Sequence, residues 1–325
     1  MHSFKADLLN FFILLLALYP ANSGLAADSI RIGVLAYGTL NWELQTIENH
    51  QLDEKHGFQI EQRLLSNPPA GKIALQSGAV DIIVSDWVWV SRQRSDGADY
   101  TLSPYSTASG SLVVPSDSKM RALEDLPGKR IGIAGGELDK NWLLLIALAK
   151  KTKNIDLDSS VEKVFGAPPL LNQQLLQGNL DAVLTYWHYA VRLEARGYRE
   201  ILNGAAILSG LGIETPLATL GYVFKDSWAR NNRELVLNFL GATREAKNLL
   251  CESDTAWEAT GALIQSANPE TRRLLRLNYC EGRIKHWTSR DKAMAATVFS
   301  LLHEIAGPRL TGRSPDLADG TFWNE

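Results

Sequence analysis

Gly78-Ala79-Val80-Asp81-Ile82-Ile83-Val84-Ser85-Asp86-Trp87 is answered one hundred positions later by Gly178-Asn179-Leu180-Asp181-Ala182-Val183-Leu184-Thr185-Tyr186-Trp187. Each stretch reads as a glycine that closes a helix, a short buried strand, a hydroxyl-bearing residue and then a tryptophan. Outward from this core the correspondence continues. Pro68-Pro69 returns as Pro168-Pro169, and Asn41-Trp42 as Asn141-Trp142. Arg31-Ile32-Gly33-Val34 returns one residue earlier in frame as Arg130-Ile131-Gly132-Ile133. Solenoid repeats run about 20–50 residues, so a period this long describes two lobes on one plan. Matching positions then face each other across a cleft, where small-molecule sites gather.

Each copy reads strand, helix, strand, helix, strand. In the first, the strands are 30–36, 58–65 and 80–84; Asn41 is positioned to cap a helix running from Trp42 to Gly57. Pro68 suits the first turn of the next helix, where its missing N–H is not needed. In the second, the strands are 130–134, 161–165 and 181–185, with helices over 141–150, 168–177 and 186–196. This alternation predicts a parallel sheet with helices on its faces. The extended stretches 109–115 and 217–224 are expected to be the crossings between lobes. Helices are expected from Asp226 to about His303, and the Gly-, Pro- and Asp-rich tail from Pro308 reads as loose.

The first residues have the pattern of a secretory signal: a weakly basic start at His2 and Lys5, an apolar run from Leu8 to Tyr19, then Gly24-Leu25-Ala26. The apolar run is short for a spanning helix, which needs about 17–25 residues. Cleavage is expected near Ala26, and a location outside the cytoplasm follows. The expected organisation is a signal peptide over 1–26, a first lobe over 27–112 and 218–325, and a second over 113–217. A net charge of −3 argues against nucleic acid. The two cysteines, Cys251 and Cys280, are either a disulfide, which an oxidising compartment permits, or two unpaired thiols.

Ligands of α/β sheets bind beyond the carboxyl ends of the strands. That rule selects Tyr37, Gly38, Thr39, Asn41 and Trp42 after the first strand, and Ser85, Asp86 and Trp87 after the third. The matching sets are Gly135, Gly136, Glu137, Asp139, Asn141 and Trp142, then Thr185, Tyr186, Trp187 and His188. Glycines let a ligand approach backbone N–H groups at a helix start. Ser85 and Thr185 offer hydrogen bonds, and the tryptophans offer faces for a flat ligand or a methylated cation. Competing readings stand beside these: Trp42 and Trp142 as helix-to-sheet packing, Asp86 as a helix cap, and His188 as a packed or solvated residue. Asp81 and Asp181, at strand starts, read as structural. No Gly-x-Ser-x-Gly elbow, His-Glu-x-x-His or phosphate loop is present. The six histidines are scattered. No cofactor, metal or catalytic residue is expected.

Three segments carry a family resemblance. Leu75-Gln76-Ser77-Gly78-Ala79-Val80-Asp81 resembles the LQSGEVD segment of the nitrate/sulfonate/taurine-type periplasmic binding proteins. Asp125-Leu126-Pro127-Gly128-Lys129-Arg130-Ile131-Gly132 is similar to their DLKGKRIGV, and Gly178-Asn179-Leu180-Asp181-Ala182 with Trp187 to a third shared stretch. Thiamine-pyrimidine-precursor binders share these features. The resemblance implies a type II periplasmic binding fold: two Rossmann-like α/β lobes, two hinge strands, and capture by hinge closure. It also implies delivery to an inner-membrane ABC permease, by a protein expected to be monomeric. The chain departs from the family at Tyr186-Trp187-His188-Tyr189, where relatives often carry a Trp-Glu-Pro stretch. The acidic turn Glu137-Leu138-Asp139, with Asp86 nearby, argues against a simple anion and for a neutral, zwitterionic or amine-bearing ligand. Two alternatives remain: an accessory or sensory protein acting through a protein partner, and a pyrimidine-precursor synthase-like enzyme.

Overall fold

A computed structural model describes residues 28–213 and 216–324. The expected signal segment lies outside them. Two five-stranded sheets form the two lobes, in the orders β2-β1-β3-β10-β4 and β7-β6-β8-β5-β9. The first contains β1 (Asp28–Leu35), β2 (Phe58–Leu65), β3 (Ile82–Asp86), β4 (Tyr100–Ser106) and β10 (Leu220–Lys225). The second contains β5 (Ser111–Val114), β6 (Arg130–Ala134), β7 (Glu162–Gly166), β8 (Ala182–Thr185) and β9 (Arg199–Asn203). Helices of eight residues or more are α1 (Leu40–Asn49), α2 (Pro68–Ser77), α3 (Trp87–Ser95), α4 (Lys140–Lys153), α5 (Pro168–Leu176), α6 (Trp187–Glu194), α7 (Arg233–Glu252), α8 (Pro269–Glu281) and α9 (Ser289–Ala306).

The three strands of each copy are parallel, as expected, but each whole sheet is mixed. β10 runs antiparallel to β3 and β4, and β5 antiparallel to β8 and β9. The cause is the path between lobes. β4 and β9 end at the cleft, so the strand that enters the other lobe starts there and runs away from it. The stretches expected as crossings are therefore mostly these strands, and the chain passes between lobes just before each, at 107–110 ahead of β5 and ahead of Leu220 for β10.

The duplicated residues explain themselves locally. Asp81 Oδ2 accepts the Arg31 backbone N–H at 2.8 Å, and Asp181 Oδ2 accepts that of Arg130 at 2.8 Å. Each aspartate thus ties the first strand of its lobe to the third, the structural role expected. Gly78 and Gly178 end their helical segments at φ 73° and 76°, a left-handed conformation that side chains resist. Asn67 caps α2, accepting the Ala70 N–H.

Three local expectations change. The helix expected over 42–57 stops at Asn49, where Gln51 turns left-handed at φ 52° before a single turn, Leu52–Lys55. Asn41 is not its cap: Thr39 holds that position, and the Asn41 amide donates to the carbonyls of Leu35 and Gly38, both at 2.7 Å, bracing the β1–α1 loop. The C-terminal tail is docked rather than loose. Leu102 N–H donates to Thr321 O and Trp323 N–H to Leu102 O, both at 2.9 Å, covering the outer edge of β4. Phe322 and Trp323 are buried there, Trp323 edge-on to Phe224.

The helices after β10 pack on both lobes. One core cluster joins Trp87 of the first lobe to Trp142 and Leu145 of the second through Val298, Phe299 and Leu302 of α9. Another joins Trp42 to Val191 through Trp257, Leu275 and Tyr279. Cys251 and Cys280 form a disulfide between the ends of α7 and α8, with Cα atoms 5.6 Å apart. Among the described residues no helix is long and apolar enough to cross a membrane.

Candidate functional site

The carboxyl ends of β1, β3, β4 and β8 and the start of α4 surround a cavity of about 240 Å³. Drug-sized ligands occupy about 300–1,000 Å³, so this space suits a smaller molecule. Eleven of the residues selected from sequence line it: Tyr37, Gly38, Thr39, Ser85, Asp86 and Trp87 from the first set, and Asp139, Asn141, Tyr186, Trp187 and His188 from the second. Both lobes contribute. Leu35, Val84, Leu144, Val298 and Leu302 make part of the wall apolar, and Tyr105, Ser106, Ser109 and Asn141 add polar groups.

Seven selected residues do not line the cavity, among them Glu137, which reaches Arg309, and the buried Trp142. Asn41 is spent on the loop carbonyls described above. Trp42 is buried behind the cleft, edge-on to Trp187 at 6.0 Å and to Trp257 at 5.5 Å. Thr185 is enclosed in the sheet opposite Ser111, its Oγ1 without a hydrogen-bond partner among the described residues. Gly135 and Gly136 form a left-handed turn at φ 98° and 99°. A Cβ on Gly135 would come within 2.9 Å of Asp139 Oδ2 and 3.4 Å of the Tyr186 hydroxyl, so this glycine supports the wall without forming it. Trp87 reaches the cavity only at its margin: its Nε1–H donates to Ala218 O at 2.8 Å and its ring packs near Phe299 and Phe322.

Besides Tyr105, Ser106, Ser109 and the apolar wall, sequence reasoning missed two cations. Lys140 of the second lobe reaches Asp86 of the first at 3.0 Å, and Lys72 reaches the same carboxylate oxygen at 3.4 Å. Asp86 Oδ1 accepts the Trp89 N–H at 2.8 Å, so the residue is a helix cap and a site group together. Burial opposes ionisation of Asp86, but the Lys140 and Lys72 ammoniums and the Trp89 N–H outweigh it and hold the carboxyl far below its usual range. Lys72 is shifted down by burial, only partly offset by Asp86. For Lys140 the order reverses: burial lowers it, yet Asp86 and Asp139 together raise it. Asp139 caps α4, its Oδ1 accepting the N–H groups of Asn141 and Trp142 at 3.0 and 3.1 Å. Burial pushes the Asp139 carboxyl up to about 6, against the pull of Lys140 and those N–H bonds. Tyr186 lies close enough to feel Asp139, Tyr37 and Asp86, and with burial as the main cause its hydroxyl is raised well above the ordinary value.

The acidic turn is thus less acidic towards the cavity than its sequence suggests. Glu137 points outward to Arg309 at 2.8 Å, and Asp86 is matched by lysines. The signal for Lys140 was available: it follows Asp139 at the start of α4, inside the strand-end set.

A second contact crosses the cleft. His188 Nε2 lies 3.1 Å from Tyr37 O. A carbonyl only accepts, so Nε2 carries the proton and Nδ1 is an acceptor, without a hydrogen-bond partner among the described residues. Burial, with Arg192 nearby, pushes His188 down to about 3, so it is neutral at ordinary pH. Behind Thr39 sits a buried support. Thr39 Oγ1 and the Tyr105 hydroxyl are 3.1 Å apart, and Lys247 donates to Tyr105 O at 2.7 Å. Glu43 accepts from Tyr222 at 2.6 Å and Tyr279 at 2.8 Å, with Lys247 3.8 Å away.

A larger open hollow of about 790 Å³ lies outside the cleft beside the disulfide. Its arginines Arg272, Arg273 and Arg276 are engaged by Glu258, Glu270 and Asp254. Among the described residues no group of three or more histidine, cysteine or acidic side chains is placed to hold a metal ion.

The NMT1/THI5-like family model matches residues 59–254. The chain belongs to the NMT1/THI5-like family. No curated protein matches it. Solved structures similar to this NMT1/THI5-like protein include the alkanesulfonate-binding protein SsuA from Xanthomonas axonopodis pv. citri bound to MOPS, at 22% identity and a TM-score of 0.70. That match covers 92% of this chain and 99% of that one. The periplasmic aliphatic sulphonate binding protein SsuA from Escherichia coli is 18% identical, with a TM-score of 0.67 and coverage of 91% and 92%. The desulfurization enzyme DSZB is 14% identical, with a TM-score of 0.60 and coverage of 90% and 97%. At these identities the likeness is one of fold. It is the two-lobed α/β fold of periplasmic binding proteins, as the sequence resemblance implied.

Proposed function

We propose that this chain is the extracytoplasmic solute-binding component of an ABC importer, capturing a small polar organic molecule between its lobes. The observation that carries this reading is the cavity itself: it is small, and its wall is shared by Tyr37, Thr39, Ser85 and Asp86 from one lobe and Lys140, Tyr186 and Trp187 from the other. A ligand touching both walls favours the closed arrangement by its differential affinity for it. The sulfonate-binding neighbours support the same class of role. The division into lobes at 27–112 with 218–325 and at 113–217, signal cleavage near Ala26, a periplasmic location, a monomeric state and an inner-membrane permease partner belong to this proposal.

An enzyme on the same fold is the less favoured reading, although DSZB shows that the fold hosts one. His188 is buried, neutral and committed to Tyr37 O. Asp86 is committed to two lysines and a helix cap. Neither is poised as a general base. The test is a thermal-shift screen of the mature, ligand-stripped protein against sulfonates, nitrate, amines, amino acids, pyrimidines and quaternary ammonium compounds. A ligand at about 100 times its Kd adds roughly 2.7 kcal/mol, visible as a rise of about 4 °C for a protein this size. Silence across the panel contradicts solute capture and favours action through a protein partner.

A further inference from the structure

The charged groups at the cleft come from both lobes, and Lys72, paired with Asp86 from outside the lining, brings them into balance. Asp86 stands on the first lobe and Lys140 on the second, 3.0 Å apart, with Lys72 on the same Asp86 oxygen. Asp139 supplies a second carboxylate beside Lys140, its Oδ1 already taken by two helix N–H groups. Lys140 and the carboxylates of Asp86 and Asp139 thus line a space otherwise walled largely by aromatic and aliphatic side chains, while Lys72 pairs with Asp86 from outside that lining.

The Lys140–Asp86 bridge spans the gap that a ligand contacting both lobes must fill. A partly buried ion pair survives separation only if each charge finds a new partner; an unpaired buried charge is strongly unfavourable. A simple anion offers Lys140 a partner and leaves Asp86 with less. A simple amine does the reverse, and meets the Lys140 ammonium beside Asp86. A molecule carrying both charges satisfies both and adds no net charge to the cavity.

We propose that the cleft selects a small zwitterion, whose acidic group takes the place of Asp86 on Lys140 while its ammonium takes the place of Lys140 on Asp86. This rests on the solute-capture reading above and names its ligand class. Lys140 and Asp86 are the specificity-determining pair. Lys72 keeps Asp86 ionised and in place, and Tyr37, Tyr186 and Trp187 cover the apolar spacer between the ligand's charged ends. The size of the cavity limits that spacer to a few carbons.

The test is isothermal titration of ligand-stripped protein with ω-amino acids and ω-aminosulfonates of increasing chain length. Each is compared with the parent lacking the amine, the parent lacking the acid, and a neutral amide of the same length. The expected result is at least one zwitterion that binds about tenfold or more tighter than each of its parents. Lys140→Met and Asp86→Asn should each abolish that advantage; Asn keeps the helix cap. The comparison on the unaltered protein decides the matter even where a variant does not fold. A singly charged parent or neutral amide binding as tightly as the zwitterion overturns the inference and leaves solute capture standing. No binding by any of these compounds or by the broader panel overturns both.

Discussion

Asp139→Asn should stabilise the protein at neutral pH, although it removes a carboxylate from the binding wall. Asn accepts the same two N–H bonds at the α4 cap, so the helix start is kept. What changes is the charge. Burial raises the Asp139 carboxyl to about 6, roughly two units above an unfolded value near 3.9, and each unit is about 1.36 kcal/mol. The full penalty is therefore about 3 kcal/mol; water reaching the carboxylate through the cavity reduces it to about 1–2 kcal/mol. The sign follows from proton binding. Between pH 4 and 6 the folded state holds this proton more tightly than the unfolded chain, so the group costs stability as pH rises and costs nothing below both values. Urea unfolding of parent and variant from pH 4.5 to 8 measures the difference. The variant should be more stable by about 1–2 kcal/mol at pH 7.5, with the gap narrowing as pH falls below about 6. A variant less stable at pH 7.5, or a gap that does not change with pH, refutes the reasoning.

Replacing Cys251 and Cys280 by serine should cost about 2–5 kcal/mol in urea unfolding; a much smaller loss would show that the bridge does not hold α8 to α7. Trp187→Ala should weaken ligand binding, and should also lower stability by about 1–2 kcal/mol, because its ring packs edge-on against the interlobe Trp42; unchanged binding would remove it from the site. Deleting residues 321–325 should destabilise by about 3 kcal/mol or more, since Phe322 and Trp323 leave a buried pocket and uncover β4; an unchanged unfolding midpoint would contradict the docked tail. Glu43→Ala should cost about 3–5 kcal/mol, because Lys247 and two tyrosine hydroxyls lose a buried partner, and a loss under 1 kcal/mol would argue against that network.

The plan of the fold was legible because its signals are local. Gly78 and Gly178, the paired prolines, and the aspartates that clamp each first strand act within a few residues or within one supersecondary unit. The direction of β5 and β10 was not, since it depends on which end of a strand faces the cleft. The strand-end rule led to the cavity's position and to eleven of its wall residues. It misjudged Trp42 and Thr185 because position after a strand does not say which way a side chain turns. It treated Asp86 and the 137–139 turn as unbalanced negative charge. Lys72 and Lys140 are placed on Asp86 by tertiary structure, one from a neighbouring helix and one from the other lobe. The burial of Phe322 and Trp323 on β4 is equally remote in sequence from its cause.

The most direct test of the central claim is a crystal structure of the mature protein with a ligand identified by the thermal-shift panel. The account predicts density in the interlobe cleft, in contact with Tyr37 or Asp86 on one side and Lys140 or Trp187 on the other. A ligand found instead in the arginine-lined hollow beside Cys251–Cys280, or one touching a single lobe, would contradict it.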